Sequence, residues 1–396
     1  MIKDALVLQK RELENKLKEP YLERLADAGK LKNPLIKVII GPRRAGKSFF
    51  ALHFLSKQVN FGYINFDDEK LVEIKDYEEL ITTMNSVYHN PKTILFDEVQ
   101  NLAKWELFVN RLQRQGYNLI ITGSNANLLS KELATHLTGR HISINIFPFS
   151  FKEYLGKKEL TTAEIKELLD HFVVYGGYPE PFTKKLEYKE YLSTLFNSTV
   201  YKDIVKRYKI RSSQGIEDLA YYLLSNISNE YSYKSLSKTT RIQSHHTVEK
   251  YLKYLIESFI FFSLKRFSYK VKEQLSSNKK IYSIDNGFVY AKAFKASPDL
   301  GRLYENIVAQ ELKKKELDNK IRLFYWKNQQ QEEVDFVVQQ DVKVKQLIQV
   351  CFDIKNIKTK EREMRALLKA GMELKCRNLL VITEDYEAEE KKEWFK

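Results

Sequence analysis

Residues 41–48 combine glycines, a lysine and a serine at the spacing of a phosphate-binding loop, G-x-x-x-x-G-K-[ST]. Glycines let backbone N–H groups wrap around phosphates, and the N-terminus of a following helix adds a favourable dipole. In this pattern Lys47 reaches the β- and γ-phosphates of a nucleotide, and the Ser48 hydroxyl binds Mg²⁺. The sequence therefore predicts an ATP and Mg²⁺ site. Its expected cofactor-binding residues are Gly41, Pro42, Arg43, Arg44, Ala45, Gly46, Lys47 and Ser48.

Two adjacent acids, Asp97 and Glu98, follow the apolar segment 93–96. At the carboxyl end of a strand, Asp97 would complete the Mg²⁺ shell and Glu98 would polarise the water that attacks the γ-phosphate. Solvated acids after a buried strand are the alternative, but a phosphate loop upstream favours the catalytic interpretation. Another predicted strand, GYINF, lies between the two motifs. That insertion indicates the class of phosphate-loop ATPases with a catalytic glutamate beside the magnesium aspartate.

Three further polar positions are candidates for sensing the γ-phosphate. Ser124 and Asn125 follow the segment NLIIT, where a polar side chain could contact that phosphate, although both residue types also cap helices. Arg140 is a candidate arginine finger for a neighbouring subunit, with a solvated loop arginine as the alternative. A finger that works in trans requires neighbours, so we expect a homo-oligomer. For Arg43 and Arg44 we expect contacts with a partner or with the sheet.

The elements that must position these residues alternate between short β-branched segments and helical patterns. The predicted strands are IKVII, GYINF, TILF, NLIIT and HISINIF, and the apolar FFALHFL after the phosphate loop predicts a buried helix. Such alternation is typical of a parallel α/β sheet.

The charge of the chain is unevenly distributed. Its 396 residues include 66 basic and 52 acidic side chains, and the net charge of +14 favours a polyanionic partner. Residues 201–280 alone hold 16 basic and 7 acidic side chains, which indicates a nucleic-acid-binding face or, as the alternative, a solvated lysine surface. Two cysteines, Cys351 and Cys376, exclude a disulfide framework and indicate a reducing compartment. Since no apolar run approaches the ~18 residues of a membrane-spanning helix, we expect a soluble, cytoplasmic protein with no membrane partner.

The basic middle region predicts a helix, a tight turn and a second helix after Ser244. Val248, Leu252, Leu255 and Ile256 would bury one stripe of that second helix. The other face suits a recognition helix in a DNA major groove, although a purely structural role or a protein contact is the alternative. The candidate DNA-binding residues are His245, His246, Lys250, Lys253, Lys265 and Arg266.

The motifs together resemble a family: the archaeal and bacterial AAA-type ATPases in which a winged helix and a restriction-endonuclease-like domain follow the phosphate-loop domain. The resemblance is carried by IIGPRRAGKS, ILFDEVQNLAKWE, ITGSNANLL, IFPFSFKEYL, YGGYPE, RLYENIVAQEL, EVDFVV and LIQV. It implies an α/β fold class with a phosphate-loop NTPase parallel sheet in residues 1–155. A helical winged-helix domain in 156–285 and an α/β restriction-endonuclease-like domain in 286–396 would follow.

The resemblance also implies a nuclease arrangement in the tail, in which acids bind Mg²⁺ and a lysine activates water. Glu305 and Asp335 match its first two positions, but Gln349 and Cys351 stand where a glutamate and a lysine are expected. Compensation by Glu332, Glu333 or Lys355 is the alternative. We therefore expect a degenerate nuclease fold that is used for binding or assembly. The remaining alternative is that Glu305 and Asp335 are ordinary polar residues.

These patterns together predict an Mg²⁺-dependent ATP hydrolase that binds DNA, branched DNA included, through its middle region and drives assembly or remodelling. Two alternatives belong to other classes. One is a regulatory switch whose ATP state controls a protein partner without DNA. The other is an ATP-dependent DNA nuclease.

Overall fold

The computed structural model describes residues 1–57, 60–72, 74–125, 137, 139–157, 159–294 and 299–389. The chain divides into two compact units. The first unit contains residues 1–159, 178–183 and 257–259. The second contains residues 160–177, 184–256 and 260–396.

Among the described residues, the first unit is built on a sheet of five parallel strands. The strands are β1 (Ile36–Ile40), β2 (Gly62–Asn65), β3 (Thr93–Asp97), β4 (Asn118–Gly123) and β5 (His141–Asn145). Their order across the sheet is β2-β3-β4-β1-β5. Every residue of β1 and β3 is buried, as expected for a parallel sheet covered on both faces. The five predicted strands and their parallel arrangement are confirmed.

Helices surround this sheet and join its strands. They are α1 (Ile2–Lys16), α2 (Lys47–Leu55), α3 (Glu69–Val72), α4 (Tyr77–Tyr88), α5 (Trp105–Arg114) and α6 (Phe151–Leu155). Two 3₁₀ turns, Ala28–Lys32 and Val99–Asn101, also belong to this unit. Helix α2 buries Phe50, Leu52 and Leu55, which confirms the buried helix predicted after the phosphate loop. Because β1 and β3 are neighbours of β4, their carboxyl ends meet at one edge of the sheet.

A mixed sheet of seven strands, within the described ranges, forms the centre of the second unit. Its strands are β6 (Glu230–Tyr231), β7 (Phe261–Arg266), β8 (Lys279–Ser283), β9 (Arg322–Lys327), β10 (Glu333–Gln340), β11 (Lys343–Val350) and β12 (Leu379–Ile382). They are ordered β12-β11-β10-β9-β7-β8-β6. Strand β7 pairs in parallel with β9 through Lys265 and Arg266. The domain boundary expected between residues 285 and 286 therefore lies inside one sheet, because this pairing joins both segments.

The helices after residue 160 are α7 (Thr162–Tyr175), α8 (Pro179–Lys184), α9 (Tyr188–Ser198), α10 (Gln214–Ser225), α11 (Tyr233–Thr240), α12 (His245–Glu257), α13 (Val271–Ser276), α14 (Asn286–Lys292), α15 (Leu300–Leu317) and α16 (Ile357–Glu373). A π-helical segment, Thr199–Lys206, extends α9. Helices α11 and α12 are the helix pair predicted around the turn at residues 241–244. Of the four residues predicted to form the apolar stripe of α12, Val248, Leu252 and Leu255 are buried, whereas Ile256 is only partly buried.

Candidate functional site

The phosphate loop connects the end of β1 to the start of α2. Gly41 is required at the first position, because a Cβ there would lie 1.7 Å from the carbonyl oxygen of Ile146. Gly46 has a φ of +92°, in the left-handed region that favours glycine. Helix α2 begins at the next residue, so its unpaired N–H groups adjoin the loop. The backbone of residues 41–48 is thus shaped to surround an anion.

Four side chains named by the two motifs converge beside this loop. Lys47 is 4% exposed, and its Nζ lies 3.7 Å from Glu98 Oε1 and donates a hydrogen bond to the Pro42 carbonyl at 3.0 Å. The Ser48 hydroxyl donates to Asp97 Oδ1 at 2.7 Å. The loop and the carboxyl end of β3 therefore form one polar site, and its hydroxyl and carboxylate oxygens are ligands that suit Mg²⁺.

Neighbouring strands hold the two acids in place. Thr122, on β4, donates a hydrogen bond from its hydroxyl to Asp97 and accepts one from the Glu98 backbone N–H at 3.0 Å. Tyr63, on β2, donates to Asp97 Oδ2 at 3.1 Å. Glu98 has a φ of +51°, an uncommon conformation for a residue with a side chain. Its carboxylate accepts a hydrogen bond from the side chain of Gln100.

The two carboxyl groups have opposite pKa shifts. Burial raises the pKa of Asp97, and the neighbouring Glu98 carboxylate raises it further, against hydrogen bonds from Thr122 and Ser48. Burial also acts to raise the pKa of Glu98, but the Lys47 ammonium and the Gln100 amide outweigh it and leave that pKa below its ordinary value. Of the two acids, Glu98 is therefore the one that ionises more readily, which suits a residue that orients the attacking water.

The predicted phosphate sensors differ in their exposure to solvent. Ser124 is 1% exposed, and its Oγ lies 3.4 Å from the Gln100 amide nitrogen, which joins it to Glu98. Asn125 is also buried. The helix cap that was the alternative for both residues would involve residues 126–136, which lie outside the described residues. Arg140 is exposed and follows Gly139 at the start of β5, where its carbonyl accepts from the Ile36 N–H at 3.1 Å.

Both arginines of the phosphate loop point to acidic side chains of the first unit. Arg43 Nη1 lies 3.6 Å from Asp67 Oδ2. Arg44 Nη1 lies 3.0 Å from Glu180 Oε1, and Arg44 is 58% exposed. The motif alone could not predict these contacts, because Asp67 and Glu180 belong to other segments of the chain.

Several residues of the site had no sequence signal. Tyr63, Thr122 and Gln100 bind the two acids, yet each belongs to a strand or turn whose side-chain direction depends on the sheet. Arg24 reaches the phosphate loop from a distant part of the chain, donating to the Ala45 carbonyl at 3.1 Å. For Tyr63, Thr122 and Gln100, the only possible sequence signal was the set of polar residues near the ends of the neighbouring strands β2, β3 and β4.

A second cluster of polar and charged side chains, in the second unit, includes Glu305 and Asp335, with Gln349 beside Asp335. Asp335 donates its backbone N–H to Gln349 Oε1 at 3.3 Å. Lys280, which no sequence motif indicated, is central to the cluster and only 2% exposed. Its Nζ lies 2.9 Å from Glu305 Oε1, 2.6 Å from Glu333 Oε1 and 3.0 Å from Asp335 Oδ1.

The other residues considered for the tail take different positions. Glu333 belongs to the cluster, but Glu332 pairs with Arg365 and Lys369, and Lys355 is exposed and pairs with Asp385 at 2.9 Å. Gln349 donates to Glu363 at 2.7 Å. Cys351 is buried and its thiol contacts the Asp353 carbonyl. Within the described ranges, no group of three or more His, Cys, Asp and Glu side chains is arranged to hold a metal ion.

The predicted DNA-binding residues lie on α12 and β7. The exposed ones are His245, His246, Lys250, Lys253 and Lys265. The rings of His245 and His246 are 4.8 Å apart, and Lys250 extends over the Tyr254 ring. Arg266 is half-buried and donates to the Lys327 carbonyl on β9, so its guanidinium is partly engaged in the sheet.

Family models match three consecutive parts of the chain. Residues 33–155 match an AAA domain. Residues 166–299 and 300–396 match two domains of unknown function, DUF8612 and DUF4143. With the geometry of the phosphate loop, the first match shows a phosphate-loop ATPase domain of the AAA class, as predicted. The winged-helix and restriction-endonuclease-like assignments stay predictions.

Two curated proteins are similar over most of their length. An uncharacterized protein of Methanocaldococcus jannaschii is 37% identical over 381 residues, which cover 90% of this chain and 83% of that protein. The chain belongs to its family. An uncharacterized protein of Haemophilus influenzae is 31% identical over 363 residues, 85% of this chain and 87% of that protein. The family therefore includes an archaeal and a bacterial member.

Two solved structures match this chain with low TM-scores. A Walker-type ATPase of Pyrococcus abyssi has a TM-score of 0.44 at 15% identity, and the match covers 71% of this chain and 94% of that one. AMPPCP-bound DnaA from Aquifex aeolicus has a TM-score of 0.26 at 16% identity, over 63% and 87% of the two chains. TM-scores below 0.5 do not establish a common fold. None of the helices in the described residues has the length and apolar composition needed to cross a membrane.

Proposed function

We propose that this protein is an Mg²⁺-dependent ATP hydrolase. The observation that carries the proposal is the convergence of the phosphate loop with two acids: Ser48 Oγ lies 2.7 Å from Asp97, and Lys47 Nζ lies 3.7 Å from Glu98. Ser48 and Asp97 would hold Mg²⁺. When bound, the metal would neutralise phosphate charge.

The residues of the chain have distinct roles in this reaction. The backbone N–H groups of residues 41–48 bind the phosphates, and Lys47 adds a positive charge that is already aimed into the site. Glu98 is ionised, because Lys47 and Gln100 keep its pKa low despite burial. Its carboxylate can therefore accept a hydrogen bond from the attacking water and take up a proton. Thr122 fixes the backbone of Glu98 and so holds that carboxylate in position.

Two variants test this assignment. Lys47→Ala should abolish ATP binding measured by calorimetry, whereas Glu98→Gln should bind ATP and lose hydrolysis by about 10²-fold or more. The exposed Arg11→Met is a matched control that should keep both activities. Hydrolysis should also require Mg²⁺ and stop with EDTA. Normal binding and hydrolysis by Lys47→Ala would show that the ATP site lies elsewhere.

We propose that the second unit binds DNA through the basic surface formed by His245, His246, Lys250, Lys253, Lys265 and Arg266. Three features support this: the exposure of most of these side chains, the net charge of +9 in residues 201–280, and the helix pair α11 and α12. The order of α10, β6, α11, α12, β7 and β8 also suits a winged helix. ATP hydrolysis would then drive assembly or remodelling on DNA.

A salt series separates DNA binding from a switch that acts on a protein. Neutralising Lys250, Lys253 and Lys265 together should weaken the affinity for duplex and branched DNA and lower the slope of log affinity against log salt by about one per contacting lysine. Lys355, an exposed lysine that pairs with Asp385, supplies the control Lys355→Gln. Unchanged DNA affinity and slope in the triple variant, or a wild type that does not bind DNA, would favour the protein switch.

We infer that the tail of the second unit serves binding or assembly and does not cleave DNA. The support is the position of Lys280: its ammonium contacts Glu305 and Asp335, the two acids that match the nuclease arrangement, and also Glu333. The order of α15, β9, β10, β11, α16 and β12 suits a restriction-endonuclease-like fold. Cleavage of plasmid or branched DNA with Mg²⁺ or Mn²⁺, lost in Asp335→Ala, would support the nuclease alternative.

Arg140 supports the proposal of a homo-oligomer with shared sites. It is exposed at the start of β5, as a residue that reaches a neighbouring subunit must be. A mixing experiment tests the idea. Lys47→Ala and Arg140→Ala should each be inactive alone, and their mixture should recover part of the ATPase activity, because some sites then combine an intact loop with an intact finger. Full activity of Arg140→Ala alone would contradict the proposal.

A further inference from the structure

Arg24 is a buried arginine that joins the phosphate loop to the segment after β5, all within the first unit. Its side chain is 5% exposed. Nη1 donates to the Ala45 carbonyl at 3.1 Å, Nη2 donates to the Phe147 carbonyl, and Nε donates to Glu153 Oε1 at 3.1 Å. A single guanidinium thus links three segments that are far apart in sequence.

Glu153 holds the guanidinium in one orientation. It is the third residue of α6, where it forms a capping box with Ser150. Its Oε2 accepts from the Ser150 backbone N–H at 2.8 Å, and its Oε1 accepts from the Leu25 N–H at 2.7 Å in addition to Arg24. The Phe149 ring lies 4.7 Å from the centre of the guanidinium. Since both members of the ion pair are held by several groups, Arg24 is a rigid donor.

The contact with Ala45 has a consequence for the next peptide group. In a trans peptide, the C=O of one residue and the N–H of the following residue point in opposite directions. With the Ala45 carbonyl held by Arg24, the N–H of Gly46 points away from Arg24. Gly46 has a φ of +92°, and Gly41, at the other end of the loop, is packed against the Ile146 carbonyl. The loop is therefore anchored at both ends.

We propose that Arg24 is a positioning residue for ATP binding: by holding the Ala45 carbonyl, it keeps the phosphate loop in the conformation that presents its N–H groups to phosphate. This inference rests on the proposed ATPase function. A loop that is ordered before binding needs no rearrangement when the nucleotide arrives. Loss of the anchor lowers the fraction of binding-competent loops and weakens the apparent affinity in proportion.

Arg24→Met tests the proposal, because methionine keeps an apolar stem and removes every donor. We expect the dissociation constants of ATP and ADP, measured by calorimetry, to rise about tenfold, the effect of losing one charge-assisted hydrogen bond. KM for ATP should rise by a similar factor, with a smaller fall in kcat. Arg11→Met, an exposed change in α1, is the matched control and should bind ATP like the wild type.

A purely structural role gives a different result. If Arg24→Met lowers the melting temperature but leaves ATP affinity unchanged, the positioning role is wrong. If Arg24→Met does not fold, Arg24→Lys decides. Its ammonium can still pair with Glu153 but cannot reach both carbonyls with the geometry of a guanidinium. Arg24→Lys should fold and bind ATP about threefold or more weakly, and wild-type affinity in this variant would overturn the proposal.

The same measurements separate this inference from the ATPase proposal. Tight ATP binding by the wild type, lost in Lys47→Ala but unchanged in the Arg24 variant, would leave the ATPase proposal standing and reject the positioning role. Absence of ATP binding by the wild type would reject both.

Discussion

Replacement of Lys280 by methionine should strongly destabilise the second unit. The ammonium is nearly inaccessible to solvent and lies within 3.0 Å of oxygens of Glu305, Glu333 and Asp335. Methionine preserves most of the apolar stem, so the variant isolates the loss of charge. Removing one partner from a buried ion pair costs about 3–5 kcal/mol, because the remaining charge stays desolvated. At high pH we expect the free energy of unfolding to fall by an amount in the upper part of that range.

The loss of stability caused by Lys280→Met should grow as pH rises. Burial already raises the pKa of Glu305 to about 8, with Asp335 adding to the rise and Lys280 opposing it. Because Lys280 opposes this rise, its removal should raise the pKa of Glu305 further, so the folded variant should bind protons at this cluster more tightly than the folded wild type does. The free energy of unfolding of the variant should therefore fall, relative to that of the wild type, as pH rises from 6 to 9.

Urea denaturation of the second unit provides the measurement. Hydrogen exchange of β8 and β10 reports on the cluster, and the fluorescence of Trp326, which is 2% exposed in the adjoining core, reports on the same unit. Lys279→Met changes the neighbouring residue, whose Nζ contacts Tyr233 on α11, and should cost less than about 1 kcal/mol. Adding Asp335→Asn to Lys280→Met should recover part of the loss. A Lys280→Met cost below about 1 kcal/mol, equal at pH 6 and pH 9, would refute the reasoning.

Three other changes have expected outcomes. Gly41→Ala should weaken ATP binding more than tenfold in calorimetry, since its Cβ would lie 1.7 Å from the Ile146 carbonyl oxygen, and Gly301→Ala, whose Cβ has room, should not. Tyr63→Phe removes a 3.1 Å hydrogen bond to Asp97 and should raise the Mg²⁺ concentration that half-activates hydrolysis by a few-fold. Burial raises the pKa of Asp285 to about 7, against hydrogen bonds from the backbone of Gly177 and Gly287, so melting temperature should fall between pH 5 and pH 8 and Asp285→Asn should flatten that dependence.

The first unit was predictable because its signals are local. Each of its strands is a short apolar segment, and the phosphate loop is a contiguous motif between a strand and a helix. Asp97 and Glu98 directly end the strand β3, so their place at the edge of the sheet followed from chain order. The contacts of Tyr63 and Thr122 with Asp97 did not follow, because they depend on which strands become neighbours.

The second unit was less predictable, since its sheet is assembled from strands that are distant in sequence. Strand β7 pairs with β9 more than fifty residues later, so a boundary drawn by chain order falls within one sheet. In the sequence, Lys280 is only one of many basic residues. In the fold it contacts Glu305, which lies on the helix α15, and Asp335, which lies on the strand β10.

The sequence by itself determined the phosphate loop, the two acids after β3, the parallel sheet that holds them and the concentration of positive charge in residues 201–280. Local spacing and periodicity suffice for these features, because the residues concerned are adjacent or lie at consecutive strand ends. Only the tertiary structure decided that Arg24 anchors the loop at Ala45 and that Lys280 lies among three carboxylates. Both arginine and lysine are ordinary surface residues until folding removes water from around them, and what they then contact depends on packing between distant segments.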